Sequence, residues 1–382
     1  MFGLVTVTRM AYRAPGARNL YPADAVLSLP AVKHSHGLRR LAVLESVRGS
    51  FVQAAEAIER SSGVRVGKRQ VEQLAQVAAV DIEAFYARRY PATAGDDVLL
   101  VMQFDGKGIV MIPAASRAAT VKAAERGGRK LKTRLSPGEK SGRKRMAELA
   151  AVYDAVAVPR TATDVIGKPA TGSADAAGRR GPRAVGKWLT ASVTHDIGEV
   201  IAAGFDEAHR RDPDQERTWV VLVDGNRTQI EAIRAEADRR GVTVHIVLDF
   251  IHVLEYLWKA AWSLFYTGDP AAEAWVAEQA TKILYGKAGQ VAAGIRRRAT
   301  RYGYSPAERT GADARAGYLT AKKPYLAYHT ALARGLADRH RRDRGGLPSP
   351  GQGPHGHHRR PLGPHQRGGH PAPTWPDHQR RL

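Results

Sequence analysis

The chain has 382 residues, with 59 Lys plus Arg against 37 Asp plus Glu, a formal net charge of +22, and no cysteine. Such a length can bury a sizeable core in two or three packed units, and the charge points to a polyanionic partner, nucleic acid first. The missing cysteine excludes disulfides, thiolate zinc sites and thiol catalysis, no apolar run reaches the length of a membrane span, and the opening MFGLVTVTRMAYR lacks the layout of a signal peptide; a cytoplasmic, nucleoid-associated protein with no membrane partner is expected.

Gly3 to Arg13 alternates like a strand, with Val5 and Val7 on one face, and a chain that begins inside a strand hints at sequence upstream. HGLRRLAVLESV reads as a helix. A second helix is expected after Ser50 as N-cap, ending at a break of Ser61, Ser62 and Gly63. A third runs from about Gly67 towards Tyr86, headed by Lys68 and Arg69, with Val71, Leu74 and Val77 on one face. Helix, short turn and basic-headed helix outline a helix-turn-helix over Ser50 to Ala79; an ordinary packed helix pair would look the same.

Val98 to Phe104 is a continuous apolar run, as in a strand buried on both faces. Asp105, Gly106, Lys107 and Gly108 then predict a turn, with Ile109 to Ile112 returning as a second strand. Lys122 to Met146 is strongly basic and rich in Gly and Ser, which predicts an exposed loop for phosphate contact or a solvated linker. Ala147 to Val158 is a further strand candidate, and GKWLTASVTHDIGEVIAAGFDEAHRR is read as mostly helical. Trp219 to Val223 is a buried strand with Asp224-Gly225-Asn226 as its turn, followed by a helix to Arg240 stopped by Gly241. Val242 to Leu248 is the next strand, and Asp249 caps the helix after it. Helices over about Asp269 to Gly286 and Gln290 to Arg301 close the legible pattern. Strands alternating with helices place the chain in the α/β class.

Asp105 and Asp224 share a context: each follows a buried strand and precedes a glycine. Open α/β sheets place ligands at such strand ends. Two carboxylates there suit Mg²⁺ or Mn²⁺, and a pair of such ions serves phosphodiester chemistry. Asp-Gly is also plain turn chemistry, so the spacing alone leaves both readings open. Asp249 and His252 sit three apart, with Glu255 one turn further along the same helix. They are candidates to stand behind the aspartates. Trp258 and Trp262 are read as core.

The blocks FDGKGIVM, LSPGEKSGRKRMAELAAVYD, GKWLTASV, VVLVDGNRTQI, VLDFIHVLEYLWKAAW, GIRRRAT and YLTAKKPYL, with the amino-terminal PGARNLYPADAVLSLP and KHSHGLRRLAVLE, resemble the ISKra-type insertion-sequence transposases from near the start to about Ala333. The resemblance implies a DDE transposase with an RNase H-like catalytic domain. It implies metal-dependent hydrolysis and strand transfer on double-stranded DNA, at element ends and at the target, by a homo-oligomer when active. Asp105 and Asp224 would be the first two acids of the triad and the ligands of Mg²⁺ or Mn²⁺. The family usually carries more sequence ahead of Gly3. The implied organisation is a mainly helical DNA-binding region over 1–95, a catalytic domain over 96–333 with a basic insertion at about 117–146, and a tail over 334–382. Lys68, Arg69, Arg129, Lys130, Lys132, Arg134, Arg143, Lys144 and Arg145 would hold the DNA.

The third acid of the family is a glutamate in a stretch of the type GVIEGACRHL after YLAYHTALARG. Here the chain reads GLADRHRRDRGGLPSP instead, and half of its 14 histidines lie from His340 onward. GC-rich codons for Gly335 to Pro350, read from their second base, allow GWPIATGVIEGACRH. The glutamate codon then straddles those of Arg344 and Gly345. An out-of-frame, disordered tail from about Arg334 is therefore expected, in place of a histidine metal site, and with it a copy impaired in catalysis. Two other readings remain: a non-catalytic, inhibitory DNA-binding remnant, and a structure-specific nuclease on the same fold.

Overall fold

A computed structural model describes residues 6–17, 19–29, 33–89, 94–95, 97–111, 118, 122, 139–140, 144–166, 181–266 and 268–336. The chain divides into two compact units, Met1–Tyr90 and Pro91–Leu382.

The first unit is helical: α1 (Pro22–Val26), α2 (His36–Arg48), α3 (Phe51–Ser62), α4 (Lys68–Ala78) and α5 (Ile82–Arg88). Ser35 caps α2, and Ser50 forms a capping box with Gln53 at the start of α3. Gly63, at φ 68°, ends α3 in the left-handed conformation that glycine adopts most readily. The core is small: Leu38, Ala42, Ala54, Ile58, Val66, Val71 and Leu74. Two expectations fail here. The described part of the amino-terminal strand, Thr6 onward, is not a strand and holds one isolated bridge, Tyr12 to Leu20; among the described residues no strand pairs with it. The helix expected to reach Tyr86 breaks at Ala79–Asp81, because after Leu74 it has no core to cover. Val77, expected on the face of Val71 and Leu74, lies exposed, as does Val80.

The second unit is a mixed sheet with helices. β1 (Val98–Val110) pairs antiparallel with β3 (Lys144–Val156) along all its length. On its far side β3 pairs antiparallel with the short β2 (Glu139–Lys140) and with β4 (Val185–Ser192). On the other side of β1 lies β5 (Trp219–Val223), parallel to it, and then β6 (Val244–Leu248), parallel to β5. The turn expected at Asp105 to Gly108 does not form. Asp-Gly looks like a hairpin signal locally, yet β3 supplies a ladder partner for every residue through Val110, so β1 runs straight on. Lys144 to Met146, expected in the exposed loop, belong to β3. GKWLTAS, expected as helix, is strand β4, with the alternating burial of a strand open on one face.

Helix α6 (Ala162–Ile166) follows β3. α7 (Ile197–Arg211) and the β5–β6 crossover α8 (Arg227–Arg240) cover one face. There Gly204 lies against the Phe104 ring, where a Cβ would stand 2.8 Å away, and Phe205 meets Trp219 with ring centroids 6.1 Å apart. Then come α9 (Phe250–Ala261), α10 (Pro270–Leu284), α11 (Ala288–Arg301), α12 (Pro306–Ala321), a 3-10 turn Lys323–Tyr325 and α13 (Tyr328–Ala333). These join one continuous core with the strands, and the fully buried Tyr328 donates its hydroxyl to the Leu248 carbonyl at 2.7 Å. The helices from Pro306 on carried no sequence expectation.

The sheet edge away from the aspartates is held by charge. Arg217 donates to the Val98 and Leu99 carbonyls and to Asp154; Arg211 bridges Asp154 and Glu207. Asp212 accepts from the Trp219 indole at 2.7 Å. At the carboxyl end of the described chain, the Val158 amide donates to the Gly335 carbonyl, Arg160 donates to the Leu336 carbonyl, and Leu336 is buried. Residues 334–336, assigned from sequence to the tail, therefore belong to the packed unit; the remainder of that tail, 337–382, lies outside the described residues.

Candidate active site

The site is built by strand register. The β1–β5 ladder ends at Gln103 with Leu222; Asp105 and Asp224 each follow two residues beyond it and line one pocket. β5 and β6 pair as Val223 with Leu248, which sets Asp224 beside Asp249, and the Asp249 amide donates to the Val223 carbonyl at 2.8 Å. Neighbouring strands lie about 4.8 Å apart. The three aspartates thus form one row across three strand ends. Phe104 and Trp219 both face α7, so alternation turns Asp105 and Asp224 together to the opposite face. Asp105, Asp224, Asp249 and His252 line one shallow pocket with Gln103, Phe104, Leu222 and Val223.

The three carboxylates are held differently. Asp105 accepts from the Gly106 amide at 2.8 Å, and Asp224 from the Asn226 amide at 2.7 Å. Neither takes part in a salt bridge among the described residues. Asp249 is buried and caps α9 through the Ile251 amide at 2.9 Å, as expected. His252 and Glu255 share the next turn, Nδ1 to Oε2 3.8 Å, and Lys259 approaches Glu255 at 3.7 Å. His252 therefore reaches the pocket, while Glu255 is engaged with His252 and Lys259 and does not line it. Trp258 is buried and stacks with Trp262, centroids 5.3 Å apart, consistent with a packing role.

Sequence reading missed what packs on the Asp224 turn. Tyr318 of α12 donates its hydroxyl to the Asp224 carbonyl at 3.3 Å and stacks flat on Tyr256 at 3.6 Å. Burial, then Tyr256 and the carboxylates of Asp224, Asp249 and Glu255, push the Tyr318 hydroxyl well above its usual range, so it stays a proton donor. Gly225 sits at φ 92°, and a Cβ there would stand 2.7 Å from that hydroxyl. Lys322 lies within the field of Asp224; burial lowers its pKa while Asp224 opposes the shift. The Gly after Asp224 marks a place for close approach, but the approaching residue lies 93 positions on, in the block YLTAKKPYL, whose contact with this turn no local pattern shows.

Among the described residues no three His, Asp or Glu side chains form a group able to hold a metal ion. Two hard oxygen donors, Asp105 and Asp224, fit Mg²⁺ or Mn²⁺ as an incomplete set. Of the basic residues assigned to DNA, Lys68 and Arg69 are exposed at the head of α4, and Lys144 and Arg145 lie on β3. Arg129, Lys130, Lys132, Arg134 and Arg143 lie outside the described residues. Among the described residues no helix is long and apolar enough to cross a membrane. Compared with known proteins, the chain matches no protein-family model and no curated protein.

Proposed function

We propose that this chain is a DDE-type DNA transposase with an RNase H-like catalytic unit, in a copy impaired for want of its third acid. The observation that carries the reading is the pair Asp105 and Asp224: at the ends of adjacent parallel strands, lining one pocket, and in no salt bridge among the described residues. A structural carboxylate is normally neutralised, as Asp154 is; an unneutralised pair costs repulsion unless a cation is shared between them. The strand plan supports the fold reading too: an antiparallel meander β1–β3–β4, then β5 and β6 parallel to β1.

Divalent ions held by Asp105 and Asp224 would supply activation of the attacking oxygen and stabilisation of the leaving one at a DNA phosphodiester. The chain's own residues set the geometry. The Gly106 and Asn226 amides each fix one carboxylate oxygen and leave the other for the ligand. Tyr318 pins the Asp224 backbone, and Lys322 offers a positive charge beside it. Arginines and lysines would hold the phosphate backbone, making binding salt-dependent.

The test is nicking of duplex DNA by the full chain with Mg²⁺ or Mn²⁺, beside a version whose tail is recoded into the frame that restores Val-Ile-Glu-Gly. The expected result is DNA binding with little nicking by the first and clear nicking by the second, lost on Asp224→Asn. Nicking that persists in Asp105→Asn and Asp224→Asn would overturn the assignment. That no three acids form a metal group among the described residues also favours a second reading, a DNA-binding remnant, for which the recoded chain would bind and never nick.

A further inference from the structure

α3 and α4 are joined through Gly63–Gly67, with Gly63 left-handed and Val66 of the turn 3 % exposed in the small core. The turn is thus anchored and sets the angle of α4. On α4, Val71 and Leu74 face that core. Arg69, Gln73 and Gln76, spaced i, i+4 and i+7, lie together on the opposite side and are exposed. None of the three side chains has a hydrogen-bond partner among the described residues. Charge on the neighbouring helices is sorted in the same sense: Glu45, Glu56 and Glu59 are taken by Arg48, Arg60 and Arg65. Arg39, Arg40, Lys68 and Arg69 keep no ion pair among the described residues.

Arg and Gln are the side chains that make bidentate hydrogen bonds to guanine and adenine edges in the major groove. A plain solvated face would serve as well with Glu and Lys. We propose that α4 is a reading helix: it enters the major groove of double-stranded DNA and contacts base edges through Arg69, Gln73 and Gln76, while Lys68, Arg39 and Arg40 meet phosphates. This rests on duplex DNA being the partner, as in the reading above, but not on any cleavage chemistry.

The experiment uses the full chain and a pool of duplexes with a randomised 20-base-pair core, followed by binding to the winning duplex and to a scrambled one of equal length. The expected result is a short consensus containing guanine and adenine. Gln73→Ala and Gln76→Ala should each weaken binding to the winner by about tenfold and flatten the preference at one base pair, leaving the scrambled duplex unchanged. Lys68→Ala should weaken both duplexes alike and reduce the salt slope by about one. Far-ultraviolet circular dichroism guards against a lost fold. A consensus unaltered in the Gln73→Ala, Gln76→Ala double variant would overturn the assignment while leaving DNA as partner. Failure to retain any duplex would overturn both.

Discussion

The two edges of the sheet treat their carboxylates in opposite ways. At one edge Asp154, Glu207 and Asp212 are each satisfied: guanidiniums of Arg211 and Arg217, themselves 4 % exposed, pair with the first two, and an indole donor with the third. At the other edge, among the described residues, Asp105 accepts from the next amide of its strand and Asp224 from an amide of its turn, and neither forms a salt bridge. The first edge closes a fold; the second leaves charge unspent. The contrast teaches which acids to suspect of function: those whose geometry is fixed by backbone alone.

The largest effect is expected at the paired edge. Asp154→Ala leaves a buried arginine without its counter-charge and should cost about 3–5 kcal/mol of unfolding free energy, read by urea titration. A loss below about 1 kcal/mol would mean the network is decorative. Next in size is Gly225→Ala. The positive φ and the Tyr318 hydroxyl at 2.7 Å from the new Cβ should cost about 1–3 kcal/mol. A neutral result would show that the Asp224 turn is not clamped. Tyr318→Phe removes one hydrogen bond and should cost about 1 kcal/mol, while weakening Mn²⁺ binding read by electron paramagnetic resonance.

At the unpaired edge the sign changes. Asp105→Asn with Asp224→Asn should alter stability by no more than about 0.5 kcal/mol, and should abolish any stabilisation on adding Mg²⁺. Large destabilisation instead would make these acids structural. Smallest is a pH effect at β6. Burial, aided by Arg334, holds His245 below its ordinary 6.5. A folded value lowered in this way gives stability that is full above pH 6.5 and lost as pH falls through the folded value. The wild-type midpoint should therefore drop between pH 7.5 and 5.5 by more than that of His245→Gln; equal drops would remove His245 from the account.

Much of this was legible. Trp219 to Val223, the Asp224 turn, the Arg227–Arg240 helix and the Asp249 cap follow from apolar runs and capping residues that act locally. The failures share a cause. Asp105 to Gly108 carries turn chemistry, but thirteen ladder pairs with β3 outweigh it. GKWLTAS is an edge strand, whose alternation includes Lys and Trp and whose partner is distant in sequence. The candidate pair was visible as two similar strand ends, whereas their adjacency is a property of register, which no single segment contains. Tyr318 and Lys322 were out of reach for the same reason.

That register has a genetic consequence. Side chains on a strand alternate, so the common direction of Asp105 and Asp224 is a matter of parity. A one-codon insertion between Trp219 and Asp224 would send the second carboxylate to the α7 face, whereas a conservative swap inside the strand would leave it in place. Selection on an active copy should therefore tolerate substitution in β5 far better than any change in its length.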